Sequence, residues 1–444
     1  MSDTLPKLGP LTACQRATLP LSGKVRVPGD KSISHRALML GAIAAGTTEI
    51  HGLLEGDDVL ATANAMRALG ADVSKTDNIY TVTGVGAAGF KNPDAPLDFG
   101  NAGTGVRLVM GLAAGSAIDA DFTGDASLSV RPMGRVMRPL EKMGAQFAAA
   151  NGDTLPVRLT AAALIPADIT PEVTSAQVKS AILLAGLGAT GTTIVREKIL
   201  TRDHSENMLA LFGADIKRFE EDDHYVVSLT GPAQLRGCRI DVPGDPSSAA
   251  FPLIAALMVP GSDVVLENIM LNRQRDGLIR VLRDMGAHID LTNQRQAAGE
   301  TVADLHVRHA PLRALEVGAD IAPDMIDEYP ALAVLAATAN GTTHMAGLHE
   351  LRVKESDRLA AIVAGLEANG VAVSHGEDWL RVTGGPVAGG GTVATHHDHR
   401  IAMSFLCLGL AAQAPVRIDD AAMIATSFPN FFDLMQDLGV EFSA

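Results

Sequence analysis

The stretch AMRALGADV, Ala65–Val73, reads as the end of an apolar-periodic helix, then a glycine, then the opening of a strand. A helix that stops on glycine does so because the residue past its end takes a left-handed backbone that only glycine adopts without steric cost. The phrase returns as PLEKMGAQF (Pro139–Phe147), MLALFGADI (Met208–Ile216), VLRDMGAHI (Val281–Ile289), GLEANGVAV (Gly365–Val373) and LMQDLGVEF (Leu434–Phe442). Its glycines are Gly70, Gly144, Gly213, Gly286, Gly370 and Gly439. Most copies follow a turn and a β-rich stretch, such as GTTEIHG, GTTIVRE, GSDVVLEN or GTTHMAG. The repeating unit is therefore strand, functional loop, helix, glycine turn and strand.

Three units precede residue 240 and three follow it, which predicts an α/β protein of two similar domains facing a cleft. Periodicity leaves the sheet order open, and a doubly wound sheet satisfies it equally well. A second repeated phrase, VPGD, occurs at Val27–Asp30 and Val242–Asp245, near the opening of each half. We read these as the crossings between domains. The expected division is a discontinuous domain of residues 1–22 plus 242–444, and an inserted domain of residues 23–241.

The length of 444 residues suits two domains of roughly 200 residues each. Hydrophobic residues make up 47% of the chain and charged residues 20%, with few aromatics, as expected for helices packed closely on sheets. The start lacks a long apolar segment, and runs such as AAFPLIAALMVP are too short to span a membrane, so the expected location is cytoplasmic. Cys14, Cys238 and Cys407 are odd in number and widely spaced, which predicts neither a disulfide framework nor a zinc site. A formal charge of −15 argues against a nucleic-acid surface. An anionic ligand would need local cations set against this global field.

The two VPGD copies show where such cations stand. In VPGDKSISHRALMLGAIAAG, Asp30 or Ser32 can cap a helix whose first turns carry Lys31 and Arg36. Cations belong at the other end of a helix, because the N-terminus already carries partial positive charge; a bound anion reverses the sign of that cost. In the second copy Pro246, Ser247 and Phe251 replace Lys31, Ser32 and Arg36, so the turn is kept and the charges are lost. A P-loop does not fit, since PGDKS lacks the Gly-Lys pair and the earlier glycine.

Other loops ahead of helices carry similar chemistry. FGNAGTGVRLVMGLAAG holds Gly103 in a glycine-rich turn, and GDASLSVRPMGR holds Arg131. Ser175 and Gln177 stand in TSAQVKSAILLAG, and Arg202 in LTRDHSENM. In the second half, Asp327 and Glu328 precede an apolar helix, Lys354, Glu355, Asp357 and Arg358 crowd RVKESDRL, and Arg400 ends DHR. His396, His397 and His399 are too crowded to share one coordination sphere, so no metal site is expected there.

PGDKSISHR, GNAGTG, RPM, RVKESDRL and DHRIAM, in this order, resemble the 5-enolpyruvylshikimate-3-phosphate (EPSP) synthase family, from about residue 23 to the end and closest to its bacterial class II branch. The resemblance implies an inside-out α/β barrel, the enolpyruvyl transferase fold: two domains, each of three βαβαββ units, closing over the substrates at an interdomain cleft. It implies transfer of the enolpyruvyl group of phosphoenolpyruvate to the 5-hydroxyl of shikimate 3-phosphate, a step toward chorismate, by a monomer with no metal or organic cofactor and no nucleic-acid or membrane partner. By motif position, Lys31, Ser32, Arg36, Ser175, Gln177, Arg202, Asp327 and Lys354 would hold shikimate 3-phosphate. Lys31, Gly103, Arg131, Gln177, Arg358 and Arg400 would surround phosphoenolpyruvate. Asp327 would act as base, Glu355 as proton donor and acceptor, and Lys31 and Lys354 as stabilisers of developing charge.

Two further expectations follow. Gly103 lacks a Cβ and leaves room for glyphosate, and Thr426 in IATSFPNFF stands where many class I relatives carry a lysine, which puts one anion contact in question. Two alternatives remain: a UDP-N-acetylglucosamine enolpyruvyl transferase, disfavoured because GDASLSVRPMGR has no cysteine, and a non-catalytic binder of phosphorylated metabolites, which leaves Asp327 and Glu355 without a role.

Overall fold

A computed structural model describes residues 12–86 and 89–443. Contacts divide the chain into two compact units. One combines the described part of Met1–Pro28 with Gly244–Arg295 and Thr301–Ala444; the other is Gly29–Pro243 with Gln296–Glu300. These boundaries fall after Pro28 and Pro243, later than the 22/23 and 241/242 divisions read from sequence. The reason is the strand Ser22–Val25, which pairs in parallel with Asp263–Met270 and so ties residues past 22 to the second half. The start of the expected 1–22 segment, residues 1–11, lies outside the described residues.

Among the described residues there are six four-stranded sheets, three in each unit. All six share one design, in which an edge strand runs parallel to its neighbour and that neighbour pairs antiparallel with a third. This replaces the doubly wound alternative that periodicity left open. The strands carry one buried and one exposed face; Thr154–Thr160, for example, buries Leu155, Val157 and Leu159. Some helices are buried throughout, whereas others, such as Gly277–Asp284, keep an exposed face. Every residue of Pro246–Met258 and of Tyr329–Ala336 is buried, which explains why both stretches are apolar all round instead of on one stripe.

The glycine stops form as their chemistry requires. Gly70, Gly144, Gly213, Gly286, Gly370 and Gly439 have φ of 108, 99, 91, 99, 76 and 99°. In each case the next residue donates its N–H to the carbonyl five positions back, at 2.9–3.1 Å, closing the helix end. At Gly213 a Cβ would meet nothing within 4 Å, so backbone strain alone opposes a side chain there. Gly213→Ala is expected to lower unfolding free energy by about 1 kcal/mol, read by urea titration; an unchanged midpoint would show that this turn relaxes freely.

The two VPGD segments also have their reason. Asp30 caps Lys31–Ile43 by accepting from Ile33 N at 2.8 Å, and Asp245 caps Pro246–Met258 by accepting from Ser247 N at 2.8 Å. In one unit Asp30 N–H donates to Pro243 O at 2.7 Å, and in the other Asp245 N–H donates to Pro28 O at 3.0 Å. The repeated phrase is thus a shared crossing and capping turn.

Candidate active site

In the Gly29–Pro243 unit the candidate residues form two groups. The first centres on Arg36, which is 4% exposed on the Lys31–Ile43 helix. Its Nε donates to Ser205 Oγ at 2.8 Å, Nη2 to Ser180 Oγ at 2.9 Å and Nη1 to Ser32 O at 3.0 Å. These partners are neutral. Burial pushes the guanidinium down to about 10, opposed mainly by Glu206, while Arg202 adds to the lowering and therefore lies near it. The Lys31 ammonium is paired with Asp58 of the EGDDV stretch.

The second group surrounds Gly103, the first residue of Gly103–Gly115. A Cβ there would sit 3.3 Å from both Arg107 Nη1 and Arg131 Nη1. Arg131 is held by Asn101 Oδ1 at 2.7 Å and Ser127 Oγ at 3.2 Å. Gln177, on the Ala176–Gly186 helix begun by Ser175, accepts from Arg107 Nη1 and donates to Thr104 Oγ1, both at 2.9 Å. Arg107 was not anticipated. It is 8% exposed, and burial, then Arg135 and Arg131, push it down to about 10. Its signal in the sequence is a lone cation inside the apolar GVRLVMGL.

In the other unit the site is built on Arg358, first residue of Arg358–Ala368 and fully buried. Its Nε donates to Asp398 Oδ2 at 2.7 Å, Nη1 to Asp327 Oδ1 at 3.1 Å and Nη2 to Glu355 Oε2 at 2.5 Å. Lys354 Nζ lies 3.5 Å from Asp327 Oδ1. Arg400 Nη1 donates to Asp327 O at 3.2 Å and lies 3.7 Å from Glu328 Oε1. Asp327, Lys354, Glu355, Arg358 and Arg400 are thus brought together. Asp398 and Glu328 complete the set, and neither was assigned a role from sequence.

Cations do stand at the starts of helices. Lys31 and Arg358 open theirs and Arg400 is the second residue of His399–Gly409, with Asp30, Asp357 and Asp398 as the respective caps. Burial alone would raise the Glu355 carboxyl, but Arg358, with smaller help from His399 and Arg400, outweighs it and holds the group down at about 2. Its side chain keeps 41% exposure, so one face remains open to solvent.

Thr426 and the three clustered histidines are also placed. Thr426 Oγ1 donates to Met423 O at 2.7 Å, so its hydroxyl is turned onto the backbone. His396 and His397 are exposed in a turn, whereas His399 is buried in its helix. Among the described residues, ligand-like spacing occurs at Asp203, His204 and Glu300. That group is engaged internally, with His204 Nδ1 2.8 Å from Glu300 Oε1 and Arg218 Nη1 donating to Asp203 Oδ2 at 2.8 Å.

Comparison with known proteins decides the family. The profile described as EPSP synthase (3-phosphoshikimate 1-carboxyvinyltransferase) matches residues 16–435. The chain belongs to the EPSP synthase family. It is similar to the 3-phosphoshikimate 1-carboxyvinyltransferases of Parvibaculum lavamentivorans, 59% identical over 95% of each chain, and of Rhodopseudomonas palustris, 58% identical over 96% of this chain and 97% of that one. Among solved structures it is similar to an EPSP synthase from Acinetobacter baumannii, with TM-score 0.90 and 43% identity over 98% of this chain and 100% of the other. The two-domain α/β architecture expected of this family is the one described above.

Proposed function

We propose that this EPSP synthase family member transfers the enolpyruvyl group of phosphoenolpyruvate to the 5-hydroxyl of shikimate 3-phosphate and releases phosphate. The observation that carries the reading is the pairing of Arg36 and Arg107. Both guanidiniums are buried and hydrogen-bonded directly to hydroxyls, carbonyls and an amide, with no carboxylate in direct contact among these bonds, an arrangement suited to a substrate anion. Arg36, Ser32, Ser175, Gln177, Arg202 and Lys31 bind shikimate 3-phosphate. Gly103, Arg131, Arg358, Arg400, Gln177 and Lys31 bind phosphoenolpyruvate, with Arg107 added beside Gly103.

Asp327, with Lys354 beside it, takes the proton of the 5-hydroxyl as that oxygen bonds to C2 of phosphoenolpyruvate. Glu355 delivers a proton to C3, giving a methyl group. In the second step Glu355 removes a methyl proton as the bond from C2 to the phosphate oxygen breaks, and Lys31 and Lys354 stabilise the charge that departs. Glu355 is ionised in the free enzyme and must gain a proton first. The anions of phosphoenolpyruvate, arriving at Arg358 and Arg400, weaken the field that holds Glu355 low and so raise its pKa.

Mixing the protein with both substrates and following phosphate separates the readings. Release with shikimate 3-phosphate supports the proposal; release only with UDP-N-acetylglucosamine, or binding without turnover, overturns it. The same reading places a monomer in the cytoplasm, with no nucleic-acid or membrane partner; no helix among the described residues is long and apolar enough to cross a membrane.

Gly103→Ala puts a methyl group 3.3 Å from two guanidinium nitrogens, closer than nine in ten real contacts. It is expected to raise KM for phosphoenolpyruvate about tenfold, the cost of ~1.4 kcal/mol of displaced contacts, with shikimate 3-phosphate little affected. Steady-state kinetics checks this, and unchanged KM values would refute it. Wild-type Gly103 accommodates glyphosate, so an inhibition constant no greater than KM for phosphoenolpyruvate is expected.

A further inference from the structure

Behind Arg36 lies a charged cluster that the mechanism does not use. Lys179 is fully buried on the Ala176–Gly186 helix. Its Nζ lies 2.8 Å from Glu206 Oε1, 2.8 Å from Glu197 Oε2 and 3.2 Å from Thr201 O. Thr201 Oγ1 in turn donates to Glu197 Oε1 at 2.5 Å. One ammonium therefore joins the Ala176–Gly186 helix, the end of the Gly191–Glu197 strand, the loop leading to Arg202 and the His204–Leu211 helix.

The placement in sequence is what ties this cluster to the site. Ser180 follows Lys179 and Ser205 precedes Glu206; their hydroxyls hydrogen-bond to each other at 2.7 Å, and both accept from Arg36. Burial works against the Lys179 charge, but Glu206 and Glu197 outweigh it and hold its pKa above the ordinary value. Packing alone does not account for the choice of residues, because apolar side chains of similar volume usually stabilise such a position as well or better.

We propose that Lys179 is a positioning residue: by clasping Glu206, Glu197 and Thr201 O it fixes the Ser180–Ser205 pair, and that pair aims Arg36 at the phosphate of the bound substrate. The substrate named here rests on the function proposed above, whereas the aim of Arg36 does not. Glu206 also works against the lowering that burial imposes on Arg36.

Two variants test this. Lys179→Met removes the clasp and leaves both Glu206 and Glu197 without their cation; Lys179→Met with Glu206→Gln removes the clasp and one of those carboxyls as well. Hydrogen exchange of Arg36 Nε–H, read by NMR without substrate, is expected to accelerate about tenfold in both. Binding of shikimate 3-phosphate, read by calorimetry, is expected to weaken about thirtyfold in both, since a misplacement near 1 Å costs up to ~100-fold. KM for phosphoenolpyruvate stays close to wild type.

Wild-type exchange at Arg36 in the folded variants overturns the proposal, as does recovery of binding in the double variant, which would make the effect one of field alone. If wild-type protein does not bind shikimate 3-phosphate, the function proposed above fails while Arg36 exchange still decides the positioning. Thr201→Val, which deletes only the bond to Glu197, provides a milder variant that keeps the test decisive should the others not fold; slower change in the same direction is expected, and wild-type exchange and affinity overturn the claim.

Discussion

Glu355→Gln is expected to lower kcat about a thousandfold, within the range of general acid–base contributions, while binding of both substrates changes little. The substitution preserves the size of the side chain and an oxygen facing Arg358 Nη2, but the amide cannot deliver a proton to C3 or take one from the methyl group. Both halves of the reaction use this group, so no later step restores the rate. Phosphate release measured at saturating substrates checks the loss; a decrease of less than tenfold would assign the proton transfers elsewhere. A companion signal follows from the direction of the pKa change. Glu355 is held at about 2 in the free protein and must be protonated in the working complex, so binding of an unreactive phosphoenolpyruvate analogue beside shikimate 3-phosphate takes up a proton at neutral pH. Calorimetry in buffers of different ionisation enthalpy reads that uptake, and it disappears in Glu355→Gln.

Arg358→Met is expected to cost stability as well as activity. The buried guanidinium is shared by Asp327, Glu355 and Asp398, and without it three carboxylates lose their common cation. Removing one member of a buried charge network typically costs about 3–5 kcal/mol, to be read from urea-induced unfolding. The penalty depends on pH in a definite direction. Glu355 has a depressed pKa when folded, so its stabilising contribution is present above about 4.5 and is lost as pH falls toward about 2. The gap between wild type and variant should therefore narrow over that window, moderately, because the Glu355 side chain is partly exposed. A gap that is small at neutral pH, or that widens in acid, would refute this account.

The parts of the fold that could be read from sequence are those imposed by a local backbone demand. Six glycines announce six helix ends because a positive φ leaves few other choices, and both VPGD phrases announce a capped turn because Asp at that place accepts from the first helical N–H groups. Sheet order was not legible. Edge strands such as Leu97–Asp98, Asp168–Ile169 and Thr392–Val393 are two residues long, too short to carry any alternation.

The site divides along the same line. Lys31, Arg358 and Arg400 stood out because cations at helix starts violate a local electrostatic preference. Some of their partners did not stand out, since those pairings depend on residues far apart in the chain. Asp58 meets Lys31 across 27 positions, and Asp398 meets Arg358 across 40. Arg107 and Lys179 escaped for another reason: a single charge inside an apolar helix resembles a surface residue until burial on every side is known.

The strand Thr12–Cys14 pairs with Val416–Ile418 on one side and with Phe442–Ser443 on the other. An emerging polypeptide made in N-to-C order therefore holds Thr12–Cys14 in waiting until both of these distant partner strands have been made. The sheets contributed by Gly29–Pro243 have all their strands on hand once Pro243 has been made. Translation thus imposes a schedule on this molecule, in which the inserted half can mature beside the ribosome while the split half waits for its late strands.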